Sequence, residues 1–235
     1  MEMKLMTFNT QHCLNFIEQK IDFEIMAAAI KQCGADIVGL NEMRDKGEDA
    51  DYEAQTANLA RLTGLENHYF AKAIDVRGAN PYGNALLSKY PIINAETIKI
   101  PDPDPKTGTG YYESRCLLKA KLEGGITVLV AHFGLNGDEQ ENAVSTVLEN
   151  LADEKCILMG DFNTTPDNTV LEPIRKRMTD VAEFFDAPML SWPSDTPEMK
   201  IDYIFVSKDI EVVSADIPEI VASDHRPHTA TLNII

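Results

Sequence analysis

The sequence predicts a single α/β domain, residues 1–235, in which β-sheets stack face to face and helices cover their outer sides. The chain has 235 residues, of which 44% are apolar and 25% charged, as is typical of a globular protein with a substantial core. Helical and strand patterns alternate in the first part of the chain, whereas consecutive strands dominate the middle and the end. A doubly wound parallel sheet requires alternation throughout, so stacked sheets fit this order better.

The first half of the chain contains strand patterns separated by two helices. Apolar residues at positions 23, 26, 27 and 30 follow the helical period, and Gly34 ends this helix. The charged segment 43–51 predicts a surface loop, and a second helix then runs as far as Gly64. Short apolar runs indicate the strands. The predicted helices cover residues 23–33 and 52–62, and the strands cover residues 4–8, 36–40, 68–73, 84–87 and 92–100.

The second half begins with residues 101–110, which are rich in proline and glycine and predict a loop that forms a mobile rim. Two strand patterns around Gly124 and Gly125 are typical of a hairpin. An amphipathic helix leads into the apolar run that begins at Cys156. The predicted helices cover residues 139–151, a short segment from Asp167 and a turn at 179–185; the strands cover residues 115–121, 126–131, 156–159, 200–206, 210–217 and 226–232.

The formal net charge of −17 bears on partners. A surface this acidic repels polyanions over a Debye length of roughly 8 Å at physiological salt. It therefore argues against non-specific nucleic-acid binding and against docking on anionic membranes, both of which need basic stripes. It does not exclude a phosphate-handling site, because a bound divalent cation reverses the local sign.

The cysteines and the apolar runs bear on the compartment. The four cysteines are scattered singly, without a C-x-x-C pair or disulfide-like spacing, and three of them lie within or beside apolar runs. No apolar run is long enough to span a bilayer, and the first residues lack the blocks of a signal peptide. We therefore expect a cytoplasmic protein with reduced, buried cysteines and no membrane insertion.

The apolar run from Cys156 ends at Gly160, Asp161, Phe162 and Asn163. Alternation along an extended chain places Asp161 and Asn163 on one side and Phe162 in the core. A carboxylate beside a carboxamide can bind a hard cation or orient a water molecule. Taken alone, the segment is better explained as a turn, because Gly, Asp and Asn are ordinary turn formers.

Six strands deliver a polar or ionisable side chain at the point where the apolar pattern ends. Each has a structural alternative: a terminal Asn or Glu can cap a turn, and a lone histidine after a strand is more often a hydrogen-bonded structural residue. The functional interpretation depends on the whole set rather than on any one member. The residues are Asn9, Glu42, His132, Asp161 with Asn163, Asp202, and Asp224 with His225.

Asp202 is the hardest of these residues to explain structurally, because apolar residues flank it on both sides within a strand pattern. A buried carboxylate is costly unless it is paired. The segment Ser223-Asp224-His225 offers a histidine at the start of the neighbouring strand. We therefore predict a His225–Asp202 pair.

Together these side chains supply what phosphate-ester hydrolysis requires. The reaction needs a hard cation to take up charge on the phosphoryl oxygens, a general base with an orienting acid, a positioned water and donors to the transition state. No nucleophile elbow, P-loop or zinc-type Cys/His cluster is present. The candidates are Glu42 and Asn9 for Mg²⁺ or Mn²⁺, His225 with Asp202 for the base, Asp161 and Asn163 for the water, and His132 and Arg115 as donors.

The chain resembles the endonuclease/exonuclease/phosphatase superfamily, whose members include DNase I, abasic-site endonucleases, neutral sphingomyelinases and inositol polyphosphate 5-phosphatases. One block such as Gly-Asp-Phe-Asn is a weak signal, whereas eight blocks in family order make accident very improbable. The blocks are Thr7-Phe8-Asn9, Gly39-Leu40-Asn41-Glu42, Gly83-Asn84-Ala85-Leu86-Leu87-Ser88-Lys89-Tyr90-Pro91, Arg115, Val130-Ala131-His132-Phe133, Gly160-Asp161-Phe162-Asn163, Ile201-Asp202-Tyr203-Ile204 and Ser223-Asp224-His225.

The resemblance implies a four-layer α/β/β/α sandwich of two stacked mixed sheets with outer helices, and a site at one end of the sheets. It makes Glu42 the principal metal ligand, beside Asn9, with Asp224 completing the shell. It implies that Asp161 and Asn163 orient or activate the nucleophilic water, and that His225, held by Asp202, acts on the scissile phosphate. It also implies that His132 binds the phosphate, with weaker help from Arg115 and Asn84. His225 acts in such sites as base or as transition-state stabiliser, and both roles stay open.

The sequence defines the bond that is broken better than the substrate. Gln11 stands where some DNA-cutting relatives carry an aspartate, so an extra carboxylate in the metal shell is in doubt. The chain is short for the superfamily, strongly acidic and without a basic cluster near the expected mouth. These observations predict a small soluble phosphoester as substrate. Its specificity would come from residues 101–112 and 190–197, where Trp192 either stacks on substrate or packs in the core.

Two alternatives remain at this level. A magnesium-dependent nuclease is the first, because net charge is a global quantity and one face can still be locally basic. A non-catalytic binding protein that keeps the fold is the second; its expected signature is a lost catalytic block, and none is lost here. The oligomeric state is not indicated by the sequence.

Overall fold

Two six-stranded mixed sheets stack face to face in the computed structural model, which describes residues 1–185 and 187–234. The first sheet has the strand order β11-β12-β1-β2-β4-β3 and the second β5-β6-β7-β8-β10-β9. The strands are β1 (Glu2–Asn9), β2 (Ile37–Arg44), β3 (Asn67–Val76), β4 (Asn80–Ser88), β5 (Ile92–Lys99), β6 (Cys116–Leu122), β7 (Thr127–His132), β8 (Cys156–Asp161), β9 (Met178–Asp180), β10 (Asp202–Ser207), β11 (Glu211–Asp216) and β12 (His228–Asn233).

Each sheet contains one parallel pair of strands near its centre. In the first sheet β1 pairs with β2, and in the second β7 pairs with β8. The other paired strands run antiparallel, as in β1–β12 and β8–β10. Because neighbouring parallel strands end on the same side of a sheet, the carboxyl ends of two adjacent strands in each sheet lie together at one end of the sandwich.

Helices cover the outer side of each sheet, so the four-layer sandwich expected from the sequence is confirmed. Residues such as Leu5 and Val130 fill the core between the sheets. Separate apolar clusters lie between the first sheet and its helices and between the second sheet and its helices. The helices are α1 (Phe23–Cys33) and α2 (Gln55–Thr63) on the first sheet and α3 (Gly137–Asn150) and α4 (Glu172–Arg177) on the second.

Gly39 permits the two sheets to approach closely. It lies in β2, in the face that meets the second sheet, and a Cβ placed there would be 2.7 Å from Met159 Sδ of β8. Contact at that distance would force the sheets apart or displace Met159. The absence of a side chain at Gly39 therefore lets Met159 pack directly against the backbone of β2.

Several predicted element boundaries were wrong for tertiary reasons. The segment 43–51 was expected to be a loop, but β2 continues to Arg44 through a bulge against β4. Helix α2 begins at Gln55 rather than at residue 52. The helical turn expected at 179–185 is a short strand, β9, followed by a 3-10 helix over Val181–Phe184, because β9 pairs with β10. Strand pairing overrides local propensity in these places.

The cysteines are free and buried at all four positions, as expected for reduced residues. The segment 101–112 forms the predicted loop, but it is attached to the start of α3: Gly110 N–H donates to Asn136 Oδ1 (2.7 Å) and the Tyr112 hydroxyl to Asp138 Oδ2 (2.8 Å). Among the helices that the structure describes, none is sufficiently long and apolar to cross a membrane.

His228 makes stability sensitive to pH. The ring is fully buried in β12, and burial, helped by the charge of Lys200, lowers its pKa from 6.5 to about 4. Between these values the unfolded chain binds a proton that the folded chain does not. The contribution of His228 to the free energy of unfolding is therefore complete above pH 6.5 and is lost as the pH falls towards 4.

We expect His228→Asn to flatten the pH dependence of the free energy of unfolding between pH 6.5 and 4, by up to about 1.4 kcal/mol per pH unit. Urea denaturation at several pH values measures this slope. His68→Asn is the matched control, because that ring is exposed in the folded chain as well. Parallel slopes for the wild type and His228→Asn would refute the assignment.

Candidate active site

The predicted site residues lie where the parallel strand pairs of the two sheets end. In the first sheet Asn9, at the end of β1, is opposite Asn41 of β2. In the second sheet Asp161, at the end of β8, is opposite both His132 of β7 and Asp202 of β10. The face-to-face packing of the sheets brings these two groups together, so residues far apart in sequence form one largely buried polar cluster at the end of the sandwich, which we call the cleft.

Asn9 joins a carboxylate from each sheet. Its Nδ2 donates to Glu42 Oε1 and to Asp161 Oδ2, both at 3.0 Å. Its Oδ1 accepts the backbone N–H of Gln11 at 3.0 Å, which fixes the orientation of the amide. Asn9 therefore holds the two carboxylates side by side through its nitrogen. The structure uses its oxygen, the atom suited to a cation, in a hydrogen bond to the backbone.

Glu42 is directed into the cleft by an irregular backbone. It lies in the bulge of β2, where the register with β4 shifts between Leu40 and Met43, and its φ is +61°. Asn163, after β8, also has a left-handed φ of +47°. Left-handed conformations are unfavourable for residues other than glycine and concentrate at functional sites. With this backbone the Glu42 side chain reaches Asn9 on one side of the cleft, and the Asn163 side chain reaches His132 on the other.

His225 and Asp202 form the predicted pair. His225 Nδ1 lies 2.8 Å from Asp202 Oδ2, and its Nε2 lies 3.7 Å from Asp161 Oδ2. Burial disfavours the charged ring, but Asp202 and Asp161 outweigh this effect and raise the pKa of His225 to about 10. The two carboxylates therefore favour the protonated form of the ring.

Asp161 lies at the centre of the cleft. Its Oδ1 accepts the Asn163 backbone N–H at 2.9 Å, in addition to the bond from Asn9 to Oδ2. Burial raises the pKa of the carboxyl to about 7; Asp202 adds to the increase and the charge of His225 opposes it. Gly160 precedes it with φ +147°, and a Cβ there would lie 1.8 Å from the Ala131 carbonyl oxygen. Only glycine permits this placement of Asp161.

His132 lies on the side of the cleft away from His225. Its Nε2 is 3.2 Å from Asn163 Nδ2 and 3.6 Å from Asp161 Oδ2, and its Nδ1 is 2.9 Å from a terminal nitrogen of Arg115. Burial lowers the pKa of the ring well below its ordinary value, and Arg115 and His225 lower it further. His132 is therefore neutral, in contrast to His225.

The other predicted residues take less direct positions. Arg115 forms an ion pair with Glu113 at 2.7 Å and contacts Nδ1 of His132 at 2.9 Å. Asn84 is buried, and its Nδ2 donates to the Cys116 carbonyl oxygen at 2.9 Å. Asp224, half-buried beside His225, accepts a hydrogen bond from Ser223 Oγ at 3.0 Å. The phosphate role of Arg115 and Asn84 and the metal role of Asp224 stay predictions.

Asn41 is a functional position that the sequence reasoning did not single out. Its Nδ2 donates to Asn84 Oδ1 and to the Ala131 carbonyl oxygen, both at 2.9 Å, and its Oδ1 accepts the Asp161 backbone N–H at 3.0 Å. The side chain is fully buried. It bonds the first sheet to β7 and β8 directly below the cleft. Its place next to Glu42 at a strand end was the only available signal.

Ser191 is a second residue that was missed, and no pattern in the sequence marks it. Its hydroxyl lies 2.6 Å from Asp202 Oδ2, the oxygen that also contacts His225. The Ser191 carbonyl oxygen accepts the Arg226 backbone N–H at 2.7 Å. The loop that contains Ser191 and the half-buried Trp192 is thus attached to the His225–Asp202 pair.

The donor chemistry of the cleft suits a divalent cation. Glu42 is partly exposed at the mouth, and hydrogen bonds join one of its oxygens and one oxygen of Asp161 through Asn9. Asp161, Asp202 and His225 also present ligand atoms within 4.8 Å of one another. Within this trio, Asp202 Oδ2 and His225 Nδ1 are already used in the hydrogen bond between the two residues. The other carboxylate oxygen, Asp202 Oδ1, is buried and has no hydrogen-bond partner among the described residues. Carboxylate-rich sites of this kind favour Mg²⁺ or Mn²⁺.

Two stacked mixed sheets with outer helices and one polar cleft at their end define a DNase I-like sandwich. A model of the endonuclease/exonuclease/phosphatase family matches residues 6–225, and the chain belongs to this family. Members of the family typically hydrolyse phosphoester bonds and generally use divalent metals. A comparison with curated protein sequences gave no match.

Solved structures share the fold at low sequence identity. An endonuclease/exonuclease/phosphatase from Beutenbergia cavernae is 21% identical with a TM-score of 0.79, over 99% of this chain and 72% of that one. A mannosyl-6-phosphatase from Bacteroides thetaiotaomicron is 16% identical with a TM-score of 0.77, over 99% of this chain and 100% of that one. The human Nocturnin catalytic domain with a bound sulfate anion is 16% identical with a TM-score of 0.71, over 100% and 94%.

We expect Asn41→Leu to lower the free energy of unfolding by at least about 3 kcal/mol, because it leaves buried donor and acceptor groups of both sheets without partners. Chemical denaturation measures the change. Asn94→Leu, at an exposed position of β5, is the matched control and should stay within about 0.5 kcal/mol of the wild type. Equal losses in the two variants would contradict the bridging role of Asn41.

Proposed function

We propose that this protein is a divalent-metal-dependent phosphoesterase that hydrolyses a small soluble phosphodiester or phosphomonoester by attack of an oriented water. The observation that carries the proposal is the meeting, in one cleft, of two carboxylates joined by Asn9 with the His225–Asp202 pair. Oxygen donors for a cation and an oriented acid–base group are the parts that such hydrolysis needs. The whole chain would form a single catalytic domain.

Glu42 would be the principal ligand of Mg²⁺ or Mn²⁺, with Asn9 beside it and Asp224 completing the shell. The bound cation would supply charge neutralisation at the phosphoryl oxygens. Asn9 also fixes Glu42 next to Asp161. Asp161 and Asn163 would hold the nucleophilic water, since Asp161 is the acceptor group nearest the centre of the cleft.

The phosphoryl group would lie between the two histidines. His225, held by Asp202 and Ser191, would act on the scissile phosphate as base or as transition-state stabiliser. His132 and Asn163 would donate to phosphoryl oxygens from the opposite side. Arg115 and Asn84 would assist more weakly.

A small substrate is favoured by charge. The chain carries a net charge of −17, so a nucleic acid would have to approach against repulsion. The fold shared with a mannosyl-6-phosphatase supports a small phosphoester, and the sulfate bound to the Nocturnin catalytic domain is consistent with anion binding by this fold. A cytoplasmic location is part of the proposal and is supported by the four free, buried cysteines.

We expect the purified protein to hydrolyse bis-p-nitrophenyl phosphate or p-nitrophenyl phosphate with Mg²⁺ or Mn²⁺, and EDTA to abolish the reaction. His225→Ala and Glu42→Gln should each lower kcat by about 100-fold or more, because the first removes a group that acts at the reacting phosphate and the second removes the principal metal ligand. Glu149→Gln, at an exposed position of α3, is the matched control and should retain full activity. Circular dichroism should show an intact fold in every variant.

The wild type and the same variants also distinguish the proposed phosphoesterase from a nuclease and from a non-catalytic binding protein. Nicking of supercoiled plasmid at low enzyme that requires metal and Glu42 would reject the small-substrate proposal in favour of a nuclease. If both nitrophenyl esters and the plasmid stay intact with several divalent metals while a partner protein co-purifies, a non-catalytic binding protein would replace the enzyme.

A further inference from the structure

Arg115 and the cleft contact different edges of the His132 ring. The Arg115 guanidinium lies 2.9 Å from Nδ1, whereas Nε2 faces Asn163 Nδ2 at 3.2 Å and Asp161 Oδ2 at 3.6 Å. The ring is 4% exposed, so its neighbours within the protein determine its orientation. Arg115 therefore reaches the ring from the side away from the residues that would hold the water and the phosphate.

Hydrogen-bond chemistry determines which ring nitrogen carries the proton. A guanidinium has only donors, so Nδ1 must accept from Arg115 and must be unprotonated. The neutral ring then carries its proton on Nε2. The Glu113 carboxylate, 2.7 Å from the same guanidinium nitrogen, holds Arg115 in place for this contact.

Asn163 contributes a second donor at the same point. Its Nδ2 donates to the Phe133 carbonyl oxygen at 3.0 Å, which rules out the reversed amide, since that would place two oxygens in contact. Two N–H groups 3.2 Å apart cannot bond to each other. Asp161 Oδ2, at 3.6 Å from Nε2, is too distant to accept a good hydrogen bond. The Nε2–H group and the second hydrogen of the Asn163 amide are therefore adjacent and have no good acceptor among the described residues, so one acceptor from a bound molecule could serve both.

We propose that Arg115 is a positioning residue, which holds His132 in the tautomer protonated at Nε2 so that Nε2–H and the Asn163 amide donate together to one phosphoryl oxygen. The inference rests on the proposed function and replaces direct phosphate binding by Arg115. The guanidinium is engaged by Glu113 and His132, and its buried Nε has no partner among the described residues. In this arrangement Arg115 acts on the substrate through the ring, by the terminal nitrogen that also pairs with Glu113.

Long-range ¹H–¹⁵N correlation spectra of the ¹⁵N-labelled full chain at pH 7.5 test the tautomer directly. The His132 signals are identified by their loss in His132→Gln. We expect the wild type to show a protonated Nε2 and an unprotonated Nδ1, and Arg115→Met to show a mixture of the two tautomers. Arg115→Lys, which keeps a donor on a stem of similar length, should retain the Nε2–H form.

Kinetics on bis-p-nitrophenyl phosphate separate positioning from binding. We expect Arg115→Met to lower kcat by about tenfold or more, with KM and inhibition by inorganic phosphate changed less than about twofold, and Arg115→Lys to recover part of kcat. Arg77→Met, which removes an exposed arginine paired with Asp49, is the matched control and should leave spectra and kinetics unchanged.

Three results would overturn the proposal: a wild-type ring protonated at Nδ1, a His132 spectrum unaffected by Arg115→Met, or a rise in KM and weaker phosphate inhibition at constant kcat. If Arg115→Met does not fold, the wild-type and Arg115→Lys spectra decide. Failure of the proposed function is distinguishable, because a wild type that hydrolyses no phosphoester can still show the Nε2–H tautomer and its loss in Arg115→Met.

Discussion

The cleft depends on one buried side-chain amide, that of Asn41. Apolar contacts between stacked sheets are not directional, so they leave the relative register of the sheets loosely defined. Asn41 adds bonds of fixed direction from β2 to Asn84, to β7 and to β8, at the base of the site. With the sheets fixed there, the single nitrogen of Asn9 can reach a carboxylate on each of them.

The pKa values of the two histidines of the cleft are shifted in opposite directions because their neighbours differ. His225 lies against the carboxylates of Asp202 and Asp161, which stabilise the imidazolium. His132 lies against a guanidinium, which stabilises a bare nitrogen and disfavours a second proton. A phosphoryl group between them would meet a charged donor on one side and a neutral donor on the other. Such an arrangement limits the total positive charge beside a bound cation.

The sequence predicted the layers of the fold and the polar residues of the cleft, because both follow from local patterns. Apolar runs marked the strands, and residues such as Asp161 and Asp202 stood out where those runs ended. It did not predict the bulge at Glu42 or the contacts of Asn41 and Ser191. Those depend on which strands become neighbours, and a single buried Asn or Ser has no periodic signature. The contact between Arg115 and Nδ1 of His132 likewise depends on how the strands pack and could not be predicted from the sequence.

Ser191 connects its loop to the carboxylate of Asp202. One short segment supplies the hydroxyl that contacts Asp202 and, one residue later, the half-buried Trp192 near the expected substrate entrance. Insertions or deletions in this segment would shift the Ser191 hydroxyl from Asp202 and displace Trp192 at the same time, because the same backbone carries both. Side-chain exchange at fixed loop length would leave the contact with Asp202 in place, and so would changes in the loop at residues 101–112, which joins β5 to β6 at the opposite edge of the same sheet.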